Sequence, residues 1–328
     1  MTPLRLGFHA SHEQFAPSDL LALVRQAADA GFTNAMSADH FHPWSRSQGQ
    51  SGFSWSWLGA AMARTDIEFG ALCVPGGWRY HPAVVAQAAA TLAEMFPGRL
   101  RWMAAGSGEA LNERVVGAGW PEKSERNARL EAGVDIIRAL WRGETVTRAG
   151  PVPIENATLF TRPQTPPQIF GAALTPDTAE WMGGWADGLL TTGVDLDELG
   201  EIVDAFRRGG GEGKPLVLQM HLSWAKGESE ARRSAHDQWR SNAISPALAA
   251  ALSTPDQYEA AAEHVRPEDM DRHVAVSADP AWHVARIRER QALGFEEIHL
   301  HNVGRNQAAF IEVFGREVLP TLLGTATV

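Results

Sequence analysis

The chain has 328 residues, and its 29 Lys and Arg stand against 39 Asp and Glu, a formal charge of −10. An acidic balance with no basic tract argues against nucleic acid as a partner and offers no anchor for an anionic membrane surface. The hydrophobic fraction of 44% is that of a globular chain with a substantial core, not of a disordered one.

Short apolar runs alternate with longer amphipathic ones. Leu4–Phe8 reads as a strand, Asp19–Ala30 as a helix stopped by Gly31, and Phe32–Met36 as a second strand. Ile67–Val74 is a third strand and His81–Phe96 a helix with Pro82 in its first turn. Leu100–Ala105 is a fourth strand, followed by a helix over Arg126–Trp141. Thr145–Thr147 and Val152–Leu159 form a hairpin excursion with a Pro-rich exit. The alternation then resumes, with strands at Gln168–Ala172, Gly188–Thr192, Leu216–Trp224 and Glu296–His301. Helices at Thr175–Trp185, Leu196–Arg208, Ser229–Arg240, Pro280–Leu293 and Ala308–Leu322 separate them. About eight strands in alternation with helices predict an α/β fold, a (β/α)8 TIM barrel. No linker divides the chain, so residues 1–328 read as a single domain with insertions at about 42–60, 143–167 and 245–275.

The single cysteine, Cys73, cannot form an internal disulfide. The opening Met1-Thr2-Pro3-Leu4-Arg5 lacks the pattern of a secretory leader, and no apolar run approaches the ~18 residues of a membrane span. A cytoplasmic location is expected. The 12 Trp against 2 Tyr are suited either to core packing or to flat aromatic ligands.

In such a barrel the chemistry sits at the C-terminal ends of the strands. Asp39-His40 follows strand 2, where a carboxylate can orient an imidazole for general-base work; an isolated pair of this kind is more often a capped polar turn, and the position at the barrel rim is what favours the base. Gly106-Ser107-Gly108-Glu109 follows strand 4 and suits close approach of a ligand, or merely a turn that needs glycine. Ala172-Ala173-Leu174-Thr175 leads into a helix start able to hold a phosphate, or is an ordinary cap. His40-x-His42 and His299-x-His301 have a spacing that metal ligands use, although no metal site is expected. Gly209-Gly210-Gly211-Glu212-Gly213-Lys214 lacks the phosphate-loop pattern. Trp44, Trp55, Trp57, Trp78, Trp102 and Trp224 either wall an aromatic pocket or pack in the core.

Taken together, several stretches match one family. They are Glu13-Gln14-Phe15-Ala16-Pro17, Ser37-x-Asp39-His40-Phe41-x-Pro43-Trp44 and Arg79-Tyr80-x-Pro82-Ala83-Val84-x-Ala86-Gln87. Gly106-x-Gly108-Glu109-Ala110-Leu111-Asn112-Glu113 and Ala186-Asp187-Gly188 continue the match. The chain resembles the luciferase-like oxidoreductases of the bacterial luciferase superfamily, near the group of deazaflavin-dependent glucose-6-phosphate dehydrogenases. The resemblance implies FMN or coenzyme F420 at the barrel rim, a small-molecule substrate and a homodimer. It implies His40 as the base with Asp39 at its side, Glu109 as an acid near the ring, and Trp44 and Glu13 lining the pocket. Ser107, Gly108 and Asn112 would lie by the cofactor, and Ala172, Ala173, Leu174 and Thr175 would hold its phosphate. Leu72-Cys73 falls where the family has a bulge, often with a cis peptide, behind the ring.

Two departures modify the expectation. The glucose-6-phosphate enzymes carry a Lys after strand 6, where this chain reads Thr191-Thr192-Gly193-Val194-Asp195, so glucose 6-phosphate is not the expected substrate. Ser223-Trp224 and His301–Gln307 resemble a sister branch that uses FMN, which would call for a separate flavin reductase. The reaction is then hydride transfer or flavin-dependent monooxygenation. A metal-dependent hydrolase built on rim histidines and a non-catalytic flavin-binding protein are the alternatives.

Overall fold

A computed structural model describes residues 3–324; Met1 and Thr2, which entered the reading of the leader, and residues 325–328 lie outside the described residues. In chain order the strands are β1 (Arg5–Ala10), β2 (Asn34–Ala38), β3 (Glu68–Cys73), β4 (Leu100–Ala105), β5 (Val146–Arg148) and β6 (Ile154–Ala157). They continue with β7 (Gln168–Ala172), β8 (Leu189–Thr192), β9 (Leu216–Ser223), β10 (Ala275–Val276) and β11 (Glu297–Asn302). The sheet runs β10-β9-β11-β1-β2-β3-β4-β7-β8, and β8 pairs back onto β9. Eight parallel strands thus close into a barrel, with β10 as a short parallel addition beside β9. β5 and β6 form a separate antiparallel hairpin at the expected excursion.

The helices are α1 (Pro17–Asp29), α2 (Ser54–Arg64), α3 (Pro82–Met95), α4 (Ala110–Glu113), α5 (Lys123–Trp141), α6 (Pro176–Gly183) and α7 (Leu196–Phe206). They are followed by α8 (Glu228–Trp239), α9 (Pro246–Ala249), α10 (Pro255–Ala261), α11 (Pro280–Ala292), α12 (Gln307–Val313) and α13 (Leu319–Leu323). Six of them begin on proline, whose fixed φ suits a first turn where its missing N–H costs nothing. Side chains of Thr175, Asp195, Ser245, Thr254 and Asp279 cap the helices that follow them. Among the described residues no helix is long and apolar enough to cross a membrane.

The expected insertion at 42–60 is irregular only in its first half; its second half opens α2. That helix starts after Phe53 with no side-chain cap, and its Trp55 and Trp57 are both buried, a spacing of two that hides the helical period. The expected last helix also differs. A π-turn over 314–318 separates α12 from α13, where Pro320 has no N–H to continue the ladder.

The main core packs the helices on the outer face of the sheet, while a second cluster of Met36, Trp102, Ala104, Phe170, Leu190 and Val217 fills the barrel. Trp102 stacks on Phe170 with ring centroids 5.6 Å apart. Gly70 leaves room for it, since a Cβ there would lie 2.1 Å from the indole. Below these rings the floor is polar. Glu297 accepts from Trp102 Nε1 at 3.0 Å and from Arg5 Nε at 3.1 Å, and pairs with His299 Nε2 at 2.7 Å. The carboxylate of Glu297 thus has three partners, while His299 Nδ1, on the far side of its ring, is buried without one among the described residues.

Candidate active site

A cleft of about 350 Å³ opens at the C-terminal ends of the strands. Most of the predicted residues line it. Asp39 and His40 come from the end of β2, and Leu72 and Cys73 from β3. Ser107, Gly108, Glu109 and Asn112 come from the turn after β4, and Ala172, Ala173, Leu174 and Thr175 from the end of β7. Parallel strands place all these turns at one rim, which is why residues far apart in sequence converge.

The partner of His40 is not the expected one. Its Nδ1 is held in a short contact by Glu13 Oε1 rather than by Asp39. Glu13 is buried, and Ser11 Oγ donates to its other oxygen at 2.9 Å. Burial alone would push Glu13 up and His40 down; the charge and hydrogen bond between them reverse both, so Glu13 falls well below its ordinary range and His40 rises above 6.5. The pair therefore favours a protonated imidazole. Glu13 lies behind the histidine instead of lining the cleft, and Trp44 packs edge-on against His40 with centroids 5.3 Å apart.

Asp39 belongs to a different network. Arg79 Nη2 donates to its carbonyl oxygen at 2.8 Å and to its carboxylate at 3.2 Å, and Arg79 Nε donates to Glu113 at 3.0 Å. This buried guanidinium ties the loop after β2 to the loop after β3 and to α4. Asn112 completes the brace, its Oδ1 accepting from the backbone of Phe41 at 2.9 Å and of His42 at 3.1 Å. Leu72 and Cys73 do stand at the back of the cleft, but no peptide bond among the described residues is cis. The register shift of β3 lies earlier, between Phe69 and Gly70. Burial pushes the Cys73 thiol far up, so it is an apolar wall rather than a nucleophile.

Glu109 is raised as well, first by burial, against the lowering influence of His40. Its Oε2 is buried and has no partner among the described residues. Gly108, at φ 84°, turns the chain where a Cβ would meet Glu113 and Val74 at 2.9 Å. With Gly106, Ala172 and Ala173 nearby, the rim there is made of small residues, beside the capped start of α6. A flat ring against the small residues and a phosphate at the first turn of α6 suit this donor set, and the unpartnered Glu109 oxygen has a group to meet.

Other expected features are placed elsewhere. None of Trp44, Trp55, Trp57, Trp78, Trp102 and Trp224 lines the cleft. Trp57 packs on Phe69, Trp78 on Trp120 and Trp224 on Phe314. His42 bonds the carbonyl of Leu111 at 2.9 Å and His299 belongs to the barrel floor. No group of three His, Cys, Asp or Glu among the described residues is arranged to hold a metal ion. Asp195 caps α7, accepting from the backbone of Asp197 and Glu198, and does not face the cleft. Ser223-Trp224 and the 301–307 segment are joined where Asn302 Oδ1 accepts from the Trp224 backbone at 3.0 Å and Asn306 Nδ2 donates to the Trp224 carbonyl at 2.9 Å; Gln307 donates to the carbonyls of Asn302 and Gly304, and Ser223 Oγ to that of Ala231.

Sequence reasoning missed Thr191, Thr192, Gln219 and Tyr258, all of which line the cleft. Gln219 and His221 were legible in principle, as polar residues two apart near the end of an otherwise apolar strand. Tyr258 comes from α10, a part of an insertion no strand pattern reaches.

The model of the luciferase-like monooxygenases matches residues 1–297. The chain belongs to that family. An F420-dependent glucose-6-phosphate dehydrogenase of Nakamurella multipartita is 36% identical over 98% of this chain and 97% of its own length. One from Beutenbergia cavernae is 35% identical over 97% of each. Among solved structures, an F420-dependent secondary alcohol dehydrogenase in complex with an F420-acetone adduct superposes with a TM-score of 0.88, at 26% identity, over 96% of this chain and 98% of that one. The luciferase-like chain is an oxidoreductase by this membership. These relatives give no support to the expectation that glucose 6-phosphate is excluded, and the cap role of Asp195 removes one argument for it.

Proposed function

We propose that this luciferase-like chain is a dehydrogenase that binds coenzyme F420 in the cleft and interconverts an alcohol and its carbonyl compound. The observation that carries the reading is that His40, paired with Glu13, lines the same cleft as Glu109, the two following the C-terminal ends of different strands, β2 and β4. His40, oriented through Nδ1 by Glu13, presents its other nitrogen to take a hydroxyl proton, and returns it in the reverse direction. Glu109, held up by burial, can carry a proton at its unpartnered oxygen. Leu72, Cys73 and the small residues after β4 and β7 would hold the ring, and Ala172 to Thr175 its phosphate. When bound, the cofactor supplies a two-electron acceptor or donor of hydride. The names of the relatives and of the alcohol dehydrogenase structure support F420 over FMN.

Fluorescence titration with F420 and with FMN tests the cofactor, and alcohol-dependent loss of F420 absorbance tests the reaction. F420 is expected to bind in the micromolar range or tighter. His40→Ala should lower turnover by about 10²-fold or more while changing the F420 Kd by only a few-fold. Preference for FMN would overturn the reading and point instead to monooxygenation with a flavin reductase as partner. Equal loss of binding and turnover in His40→Ala would remove the base role. We further infer a homodimer through α2 and α3, whose shared groove exposes Phe53 by 49% and Val84 by 53%.

A further inference from the structure

The wall of the cleft formed by β8 and β9 carries a hydrogen-bond chain whose proton positions are dictated by backbone carbonyls, which can only accept. Thr192 Oγ1 donates its one hydrogen to the carbonyl of Gln219 at 2.8 Å. Its contact with His221 Nδ1 at 3.2 Å therefore requires that nitrogen to carry the proton, which leaves His221 Nε2 bare. A second chain begins at the carbonyl of Val303, which takes Gln14 Nε2 at 2.7 Å. The oxygen of Gln14 consequently faces His301 Nε2 at 3.2 Å, so the proton sits there and His301 Nδ1 is bare. Both bare nitrogens point at one group. Gln219 Nε2 lies 3.2 Å from His221 Nε2 and 3.4 Å from His301 Nδ1 and gives one hydrogen to each. Burial keeps both histidines neutral, His301 well below its ordinary range and His221 near 4.

Two independent chains thus fix the same orientation of one amide. Its nitrogen is committed, no described residue donates to its Oε1, and Gln219 lines the cleft. The lining contributed by β8, β9 and the 246–258 segment includes no cation: Thr191, Thr192, Gln219, Ala249, Ala250 and Tyr258 stand there. Apart from His40, the basic side chains of the cleft, Lys123 and Arg126, belong to α5 on the α6 side, where Lys123 donates to Thr178 at 2.9 Å.

We propose that Gln219 is the substrate-selecting residue, its Oε1 accepting a hydrogen bond from a second hydroxyl of an uncharged alcohol, so that the preferred substrates are neutral diols or polyols. This rests on the dehydrogenase reading above. An anionic group at this point would meet a fixed carbonyl oxygen instead of a donor, and the neighbouring histidines cannot swap roles without breaking a bond to a backbone carbonyl.

The test uses the F420-loaded protein with matched pairs: cyclohexanol against trans-1,2-cyclohexanediol, and glucose against glucose 6-phosphate. The wild type is expected to favour the diol by about tenfold or more in kcat/KM, and glucose over its phosphate. Gln219→Met should bring the diol preference toward one, with the F420 Kd unchanged as the check on folding. A preference that survives Gln219→Met, or glucose 6-phosphate as the better substrate, overturns the assignment. So does a tenfold weaker F420 Kd in Gln219→Met, which would give the residue to the cofactor. Tight F420 binding with no alcohol turned over by the wild type would instead overturn the dehydrogenase reading, and this assignment with it.

Discussion

His40 is a base that its own partner makes reluctant. Because Glu13 raises its pKa above 6.5, the free imidazole needed for alcohol oxidation accumulates only as pH rises through that raised value. Oxidation should therefore climb with pH across neutrality, and carbonyl reduction, which needs the protonated form, should fall. Glu13→Gln removes the charge, so the oxidation limb should move to lower pH while kcat on its plateau drops about tenfold or more. Profiles of kcat in both directions measure this, and a limb that stays put in Glu13→Gln would separate the two residues. His40 and Glu109 were legible in the sequence because both follow apolar runs that read as strands. The Glu13 contact was not. It depends on β1 and β2 pairing with His9 beside Met36 and Ala10 beside Ser37, so that residues 13 and 40 leave adjacent strands at one height. Asp39, the neighbour in sequence, is turned instead toward Arg79, which no local spacing announces.

Among the elements, α2 and α3 present the surface with the clearest use. Phe53 and Tyr80 lie with ring centroids 5.9 Å apart at one end of their groove, and Val84 stands exposed on α3. Val84→Asp would place a charge in a joint that needs apolar contact, so it should convert the protein from dimer to monomer in sedimentation velocity. A monomeric wild type, or a dimer indifferent to the substitution, would reject the pairing. Helices announced by a proline and a capping side chain, such as α6 and α11, were legible to within a few residues, whereas α10, which has both signals, was read only as part of an insertion. α2 has neither signal, and its identity is set by what it packs against, since Trp57 reaches across to Phe69 of β3. The chain supplies the fold through pattern, and α2 is where tertiary contact replaces pattern.

On the scale of the whole molecule, neutral histidines set the response to acid. His9 is held to about 3 and His12, His221 and His283 to about 4, each first by burial, and His301 lies well below its ordinary value. An unfolded chain would protonate all five near 6.5, so stability is complete above that pH and is lost as pH falls toward 4, at up to about 1.4 kcal/mol per pH unit for each group. Burial holds Asp39, Glu109 and Glu113 up, which offsets part of the loss. A fall in Tm on the order of 10 °C between pH 7 and pH 5 is expected in calorimetry, and a flat Tm over that range would mean that the histidines meet water. The barrel itself was legible from alternation, whereas this sensitivity arises from side chains that only the closed barrel brings together.

The stretch that supplies Tyr258 carries another consequence. Residues 246–261 leave the barrel after α8, and much of their bonding is internal, as where Tyr258 donates to the carbonyl of Ala249 at 2.8 Å. Arg46, paired with Asp256 and donating its backbone N–H to Glu259 at 2.9 Å, fastens them to the loop after β2. Exchanging such a stretch between related proteins would leave Glu13 and the start of α6 in place, and would reach His40 through Trp44, which stands between Tyr258 and the imidazole with ring centroids 5.5 and 5.3 Å away. Descent with new appetites then meets reactivity at that indole, while what the molecule admits and how it reacts are otherwise written in different parts of the chain.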